Sequence, residues 1–476
     1  MEDAPQPEYM RNKAFFDTSA ETRDAWKKRN SYYWRDLEGF CASLVPADAS
    51  VLEVGCGTGD LIGRVQASRR VGIDFSEKMI GIAKGKYPDV DFRAMAAEEI
   101  DLQETFDYVI LSNTIGYLED IQRVFRRLLP LLGPESKVVV TYHSFLWQPV
   151  LGLGEVVGLR TPQPQQNWLA RNDIENLMEL EGIEPFKSGI RTLLPKYVPM
   201  LTPLLNRYIG HLPLIDKLGV TGFVIGRRAP SQAPWPDRKV TVVVPARNES
   251  GNIQAAIDRT PVMGLGTELI FVEGNSTDDT RETIEKAVAG YSGSLELRWA
   301  VQDGRGKGDA VRKGYGMATG DVLMILDADL TVPPEDLPKF YEAVVSGRGE
   351  FINGSRLVYN MDKKAMRPLN LLGNKFFGLM FTWLLDQRFK DTLCGTKVMT
   401  RQNYERLAAN RAFFGDFDPF GDFDLIFGAS KLNLKIVELP IRYRERTYGS
   451  TNISRFRHGL ILLRMCAFAS RKIKFV

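Results

Sequence analysis

Twice along the chain, short apolar runs that stop at glycine, aspartate or asparagine alternate with longer segments of mixed polarity. An aliphatic, β-branched run of four to eight residues bounded by turn formers predicts a buried strand, and the segments between predict covering helices. In the first half the pattern predicts strands near Ser50–Val54, Arg70–Asp74, Tyr108–Ser112 and Lys137–Tyr142. In the second half it predicts them near Val240–Val244, Glu268–Glu273, Leu295–Val301 and Val322–Leu326. Strands of this kind separated by helices form parallel sheets covered on both faces. The expected fold class is α/β, with two domains, each a mainly parallel sheet covered by helices.

The residues between the halves, Ala229 to Arg238, include Pro230, Pro234 and Pro236 and show no periodicity, so they read as a semi-extended linker. Residues 1–228 and 239–476 are the two expected domains, as a chain of 476 residues is too long for one core. The fractions of hydrophobic (44%) and charged (25%) residues are those of a globular protein. Cys41, Cys56, Cys394 and Cys466 have no paired or metal-ligand spacing, and the acidic first residues carry no apolar signal core, so a reduced cytoplasmic setting is expected. Charge is uneven: residues 1–228 carry a net −3, the remainder +6, and the stretch from Lys435 onward +8. A basic end suits anionic lipid or a phosphorylated substrate, whereas no nucleic-acid-binding motif accompanies it.

The run Met324-Ile325-Leu326 leads into Asp327 and Asp329. On a strand, residues i and i+2 share a face, so both carboxylates are expected to point one way and to need a cation between them. Oxygen-only ligands beside a phosphate suit Mg²⁺ or Mn²⁺.

In the first half, the strand at Val51 runs into Gly55, Gly57 and Gly59, and the next ends at Asp74. Glycines let backbone approach a ligand, and an acid about 20 residues on accepts ribose hydroxyls. With Glu53 before the glycines, Ala97-Glu98, and Phe106-Asp107-Tyr108-Val109-Ile110, this half resembles the class I S-adenosylmethionine-dependent methyltransferases. The resemblance implies a Rossmann-like fold and S-adenosylmethionine held by Glu53, Gly55, Gly57, Gly59, Asp74, Ala97 and Glu98. His143, at the carboxyl edge of the fifth strand of that fold, is either a general base or a pocket residue, and Tyr142 and Tyr117 are equally open. The apolar stretch Leu193 to Leu218 either caps the pocket or packs as ordinary core.

In the second half, Pro245 to Glu249 and the loop from Glu273 to Asp279 both follow strands, and Gly304-Arg-Gly-Lys307-Gly308 adds cations suited to a diphosphate. With Asp327, Asp329 and Gly354-Ser-Arg356, then Arg367, Asp391, Cys394-Gly395, Asp422, Asp424, Arg444 and Arg446, the half resembles inverting GT-A glycosyltransferases of the dolichyl-phosphate mannose synthase type. The resemblance implies that Pro245, Asn248, Glu249, Glu273, Asn275, Ser276, Lys307 and Asp327 bind a nucleotide-diphosphate sugar, with a divalent metal on Asp327 and Asp329. Glu273-Gly-Asn275 departs from the usual Asp-Asp-Gly, and no Gln-x-x-Arg-Trp motif of processive synthases is present.

An alcohol acceptor needs a base, for which Asp422 or Asp424 is the candidate; a polyprenyl phosphate needs cations instead, which Arg356, Arg367, Arg444 and Arg446 supply. The apolar segments Leu369–Leu385 and Gly459–Ala469 are interrupted by polar residues and suit interfacial or core helices rather than spans. The expectation is a bifunctional methyltransferase and glycosyltransferase, peripheral on the cytosolic face of a membrane. The alternative is transfer to a soluble or glycan hydroxyl, with the first domain a cofactor-binding scaffold.

Overall fold

The computed structural model describes residues 8–161, 163–164, 166–212, 214–230, 235–356, 368–411, 421–444, 448 and 455–475. The chain divides into two compact units, Met1–Ala229 and Pro230–Lys474.

The first unit holds a seven-stranded sheet in the order β3-β2-β1-β4-β5-β7-β6. Its strands are β1 (Ser50–Val54), β2 (Arg69–Asp74), β3 (Asp91–Ala94), β4 (Phe106–Ser112), β5 (Leu132–His143), β6 (Ile183–Arg191) and β7 (Thr221–Arg228). The pairs from β3 to β5 are parallel, and β7 lies antiparallel between β5 and β6. Buried residues on the two sides of the sheet form two apolar clusters, one around Val109 and Phe125 and one around Ile62 and Phe92.

The second unit repeats the plan in the order β10-β9-β8-β11-β13-β12-β14. Here the strands are β8 (Val240–Ala246), β9 (Thr267–Glu273), β10 (Glu296–Val301), β11 (Val322–Ile325), β12 (Phe351–Ser355), β13 (Lys397–Thr400) and β14 (Ile436–Pro440). The strands from β10 to β11 are parallel, β13 runs antiparallel between β11 and β12, and β14 is parallel to β12. In both sheets the chain returns past its first strand to add β4 or β11. The carboxyl ends of β1 and β4, and of β8 and β11, therefore flank a topological switch point, where open sheets bind ligands.

The eight strands expected from the apolar pattern are present, and six more complete the sheets. Those six lack a long apolar run: β3 is four residues with Phe92 buried, β6 contains Pro185 and is mostly half-buried, and β12 and β13 are broken by Asn353 and Lys397. The segments Leu369–Leu385 and Gly459–Ala469 lie in the helices Pro368–Leu385 and Arg455–Ile473. Phe381, Leu384, Leu462 and Met465 bury one face of each in the core of the second unit, while Leu379 and Leu460 are exposed. Among the described residues, no helix is long and apolar enough to cross a membrane.

Candidate active sites

In the first unit the backbone leaves β1 through Gly55 (φ 76°) and Gly57 (φ 53°), a region that L side chains rarely adopt. Both glycines border a cavity of about 410 Å³. Asp74, at the end of β2, reaches into it: its Oδ2 accepts the Gly57 amide at 2.8 Å and its Oδ1 the Ser76 amide at 2.9 Å. Asn113 and Thr114 follow β4 on the opposite wall. A further wall is the helix Glu8–Arg29, whose Phe15, Ser19, Thr22 and Trp26 recur at the spacing of one helix face. Asn12 donates to the Tyr117 carbonyl, and Thr58 donates to Asp24 at 2.8 Å, so this helix is tied across the glycine loop.

Four expected cofactor residues stand elsewhere. Glu53 accepts the Ile62 amide at 3.0 Å from inside the core, and burial pushes its carboxyl up to about 8 against the pull of Lys27. Gly59 caps the helix Asp60–Arg64, where a β-carbon would strike Phe92. Ala97 is packed in the apolar core, and the Glu98 carboxylate accepts the Glu119 amide. None of the four lines the cavity.

His143 does line the cavity, with its Nδ1 3.4 Å from the Tyr33 hydroxyl. Asn113 Nδ2 and Thr221 Oγ1 both donate to that hydroxyl, at 3.0 and 3.2 Å. Enclosure lowers the imidazole to about 3 and raises the phenol to about 12, so both groups are neutral around pH 7. Tyr33 was not anticipated from sequence because its helix, Ser31–Leu44, has no motif beside it.

In the second unit, β11 ends at Ile325, so Asp327 and Asp329 sit in the turn that follows rather than on a strand face. The alternation argument therefore does not apply to them. Asp327 Oδ1 pairs with Lys307 Nζ at 2.6 Å, and Asp329 Oδ1 accepts the Thr331 amide and hydroxyl at 3.1 and 2.8 Å. Burial would raise the Asp327 carboxyl, but Lys307, Lys397 and Arg356 hold it below the usual carboxylate range. A β-carbon on Gly395 would overlap both Asp327 and Lys307, so this position must be glycine for the pair to form. Lys307 opens the helix Lys307–Met317 directly after Gly306 (φ 87°).

The loops after β8 and β9 interlock beside this turn. The Asn248 amide donates to Ser276 Oγ, the Thr277 amide donates to Asn248 Oδ1 at 2.8 Å, and the Ser276 amide donates to Glu273 at 2.6 Å. Asn248 and Asn275 have φ near 56°, which asparagine tolerates. Glu249 is buried and accepts from Asn252 at 2.7 Å, and Pro245 pairs with Val272 within the sheet. These residues therefore shape the loops as well as offering polar groups at the sheet edge.

Arg356 spends its fork on Asp391, with Nε 2.8 Å and one Nη 2.7 Å from the two carboxylate oxygens. Asp424 is paired with Arg411 at 2.8 Å. The Arg444 amide donates to the Thr331 carbonyl at 2.9 Å, bringing an exposed arginine next to the Asp329 turn. Arg367, Arg446 and the side chain of Asp422 lie outside the described residues. Among the described residues, no group of three or more His, Cys, Asp or Glu is arranged to hold a metal ion.

Residues 241–407 match the family model for glycosyl transferase family 2, and residues 51–135 match the model for a methyltransferase domain. The chain is 30% identical over 231 residues to glycosyltransferase AglJ of Haloferax volcanii, covering 48% of this chain and 71% of that relative. To a dolichol-phosphate mannosyltransferase of Pyrococcus furiosus it is 34% identical over 122 residues, 25% of this chain and 34% of the relative. It thus spans about a third of that second protein. A SAM-dependent methyltransferase of Thermotoga maritima aligns with 45% of this chain and 98% of its own, at 19% identity and a TM-score of 0.37.

Proposed function

The chain belongs to glycosyl transferase family 2 and carries a methyltransferase domain ahead of that region, and from this premise we propose how its two sites work. The first unit transfers a methyl group from S-adenosylmethionine. The second moves a sugar from a nucleotide-sugar to a polyprenyl phosphate at the cytosolic face of a membrane.

The first cavity suits the cofactor. Arg23 Nε and Asn113 Oδ1, both in its wall, are buried without a hydrogen-bond partner, a donor and an acceptor fitted to the carboxylate and ammonium of an amino acid. Asp74 keeps free lone pairs for ribose hydroxyls, and Gly55 and Gly57 let the backbone come close. S-adenosylmethionine, when bound, supplies a sulfonium methyl group for displacement by a nucleophile. His143 and Tyr33, both neutral at pH 7, would orient that nucleophile by hydrogen bonding, since an imidazole lowered to about 3 is a weak proton acceptor. Asp74→Ala should weaken cofactor binding by roughly 1.5–3 kcal/mol, the worth of hydrogen bonds to a charged group, in calorimetry on the full chain. Undetectable binding by the wild type would remove this reading.

For the second unit, the observation that carries the phosphate acceptor is the pairing of Asp424 with Arg411. The Asp424 carboxylate is engaged by Arg411, whereas an alcohol acceptor needs a carboxylate that faces it. A phosphate acceptor is already anionic, and Arg444 stands beside the Asp329 turn to receive it. Its oxygen bonds to the anomeric carbon as the bond to the diphosphate breaks, which inverts the configuration. Asp327 and Asp329 offer hard oxygen donors to Mg²⁺ or Mn²⁺, whose charge, when bound, stabilises the departing diphosphate. Lys307 is placed to follow that diphosphate. The name of the Pyrococcus relative supports the same acceptor class.

Purified full-length protein, given a panel of nucleotide-sugars, should transfer to polyprenyl phosphate and stop in excess chelator. Arg444→Lys should keep donor binding and lose transfer, because lysine cannot make the planar two-point contact. Efficient transfer to a soluble sugar that is abolished by Asp424→Asn would favour the hydroxyl acceptor instead.

A further inference from the structure

Most of the large apolar side chains left exposed in the first unit fall in two segments, residues 145–159 and 197–218. The helix Gln148–Val156 has no buried residue, and Val156 is 85% exposed. In the second segment Met200 is 88% exposed and Leu214 74%. Met200 also has φ 62°, a conformation that bulky residues rarely adopt, and its side chain gains no packing in return. The indole N–H of Trp147 donates to the Leu218 carbonyl at 2.8 Å and fastens the two segments together.

The same surface leads to the cavity. Val150, Leu151 and Leu159 line it from the first segment, and Leu194 and Pro195 from the stretch just before the second. Contiguous exposed apolar surface of this extent marks an interaction site. Charge favours the partner: across residues 145–159 and 193–218 the sequence holds Lys196, Arg207 and Lys217, all exposed, against Glu155 and Asp216, and Glu155 is paired with Arg160. Apolar side chains interleaved with cations in excess of acids are the composition of segments that lie at an anionic bilayer surface.

We propose that this rim seats the first unit on an anionic lipid bilayer and that its methyl acceptor is a lipid-borne molecule entering the cavity from the membrane side. The acceptor class rests on the methyltransferase reading above; the docking surface does not. The basic C-terminal tail is kept intact in every variant, so that only the rim differs.

Full-length protein is floated with vesicles of phosphatidylcholine alone or with added phosphatidylglycerol, and S-adenosylmethionine binding is measured on the same preparations. The wild type should float with the anionic vesicles. Leu153→Glu/Val156→Glu and Met200→Glu/Leu204→Glu, none of them cavity-lining residues, should each lower the bound fraction about tenfold or more, since buried CH₂ groups are replaced by charges that the lipid repels. Cofactor binding should stay unchanged, which reports that the unit is folded. Flotation of both variants equal to wild type overturns the inference. So does a wild type that stays with the soluble fraction as a dimer that the same substitutions dissociate, since the rim would then join two copies of the chain. A wild type that floats through the rim but binds no cofactor overturns the acceptor and the methyltransferase reading together.

Discussion

Glu53 stands one residue from the end of β1 with its carboxyl inside the core, and its position has a thermodynamic consequence. Burial, opposed by Lys27, raises its folded pKa to about 8 from an ordinary 4.5. The protonated form is therefore preferred in the folded state, and the stability that this group contributes is present below pH 4.5 and lost as pH rises towards 8. Glu53→Gln keeps an acceptor for the Ile62 amide and removes the ionisation. Its melting temperature should exceed that of wild type by a margin that grows from pH 5 to pH 8 and then levels off, at roughly 2–4 °C per kcal/mol for a unit of this size. A margin independent of pH in thermal melts would mean that Glu53 is ionised in the fold. At this scale the sequence was partly legible. Gly55, Gly57 and Asp74 follow from spacing, because a backbone that must approach a ligand needs glycine at fixed places. Glu53 shares the motif but faces the other way, and alternation along a strand decides which side a residue faces, not what it meets there. Tyr33 and Arg23 reach the cavity from the N-terminal helices, a long-range arrangement that no local pattern encodes.

Among the elements, β12 and the loop before β13 are joined by a buried charge pair. Asp391 is fully buried, and it takes the Arg356 amide at 2.9 Å as well as both ends of its guanidinium. Burial alone would raise the carboxyl, but Arg356 holds it below its ordinary range, and Asp391 in turn raises the guanidinium. The sequence suggested Arg356 as a phosphate contact; the structure gives it a partner that secures the wall behind Asp327. Asp391→Asn leaves a nearly buried arginine without its counter-charge and should cost about 3–5 kcal/mol of stability in denaturant unfolding, along with donor binding. A loss below 1 kcal/mol would show that the pair is solvated and that Arg356 is available for substrate. The strands missing from the sequence pattern fail for a related reason. β12 and β13 lie inside the sheet but carry Asn353 and Lys397, whose side-chain nitrogens donate to the Asp391 and Cys394 carbonyls. A buried polar residue with a distant partner looks, along the chain, like the end of a strand.

At the scale of the whole chain, each unit has its own seven-stranded sheet and its own apolar clusters. A Pro-rich stretch, residues 229–238, spans the boundary between them. Cooperative unfolding follows the core that is lost, so two cores predict two transitions in calorimetry. Ligands that bind one folded unit stabilise that unit by mass action, about 2.7 kcal/mol at a hundredfold excess over the dissociation constant. S-adenosylhomocysteine should therefore move one transition upward and leave the other in place. A nucleoside diphosphate with Mn²⁺ should do the reverse, and Asp329→Asn should abolish the second shift without touching the first, because it removes the charge proposed to hold the cation. A single transition that both ligands raise together would mean that the units unfold as one body. In that case the two ligands' stabilisations would add on the one transition, and coupling between the sites would be read from the affinity for each ligand in the presence of the other.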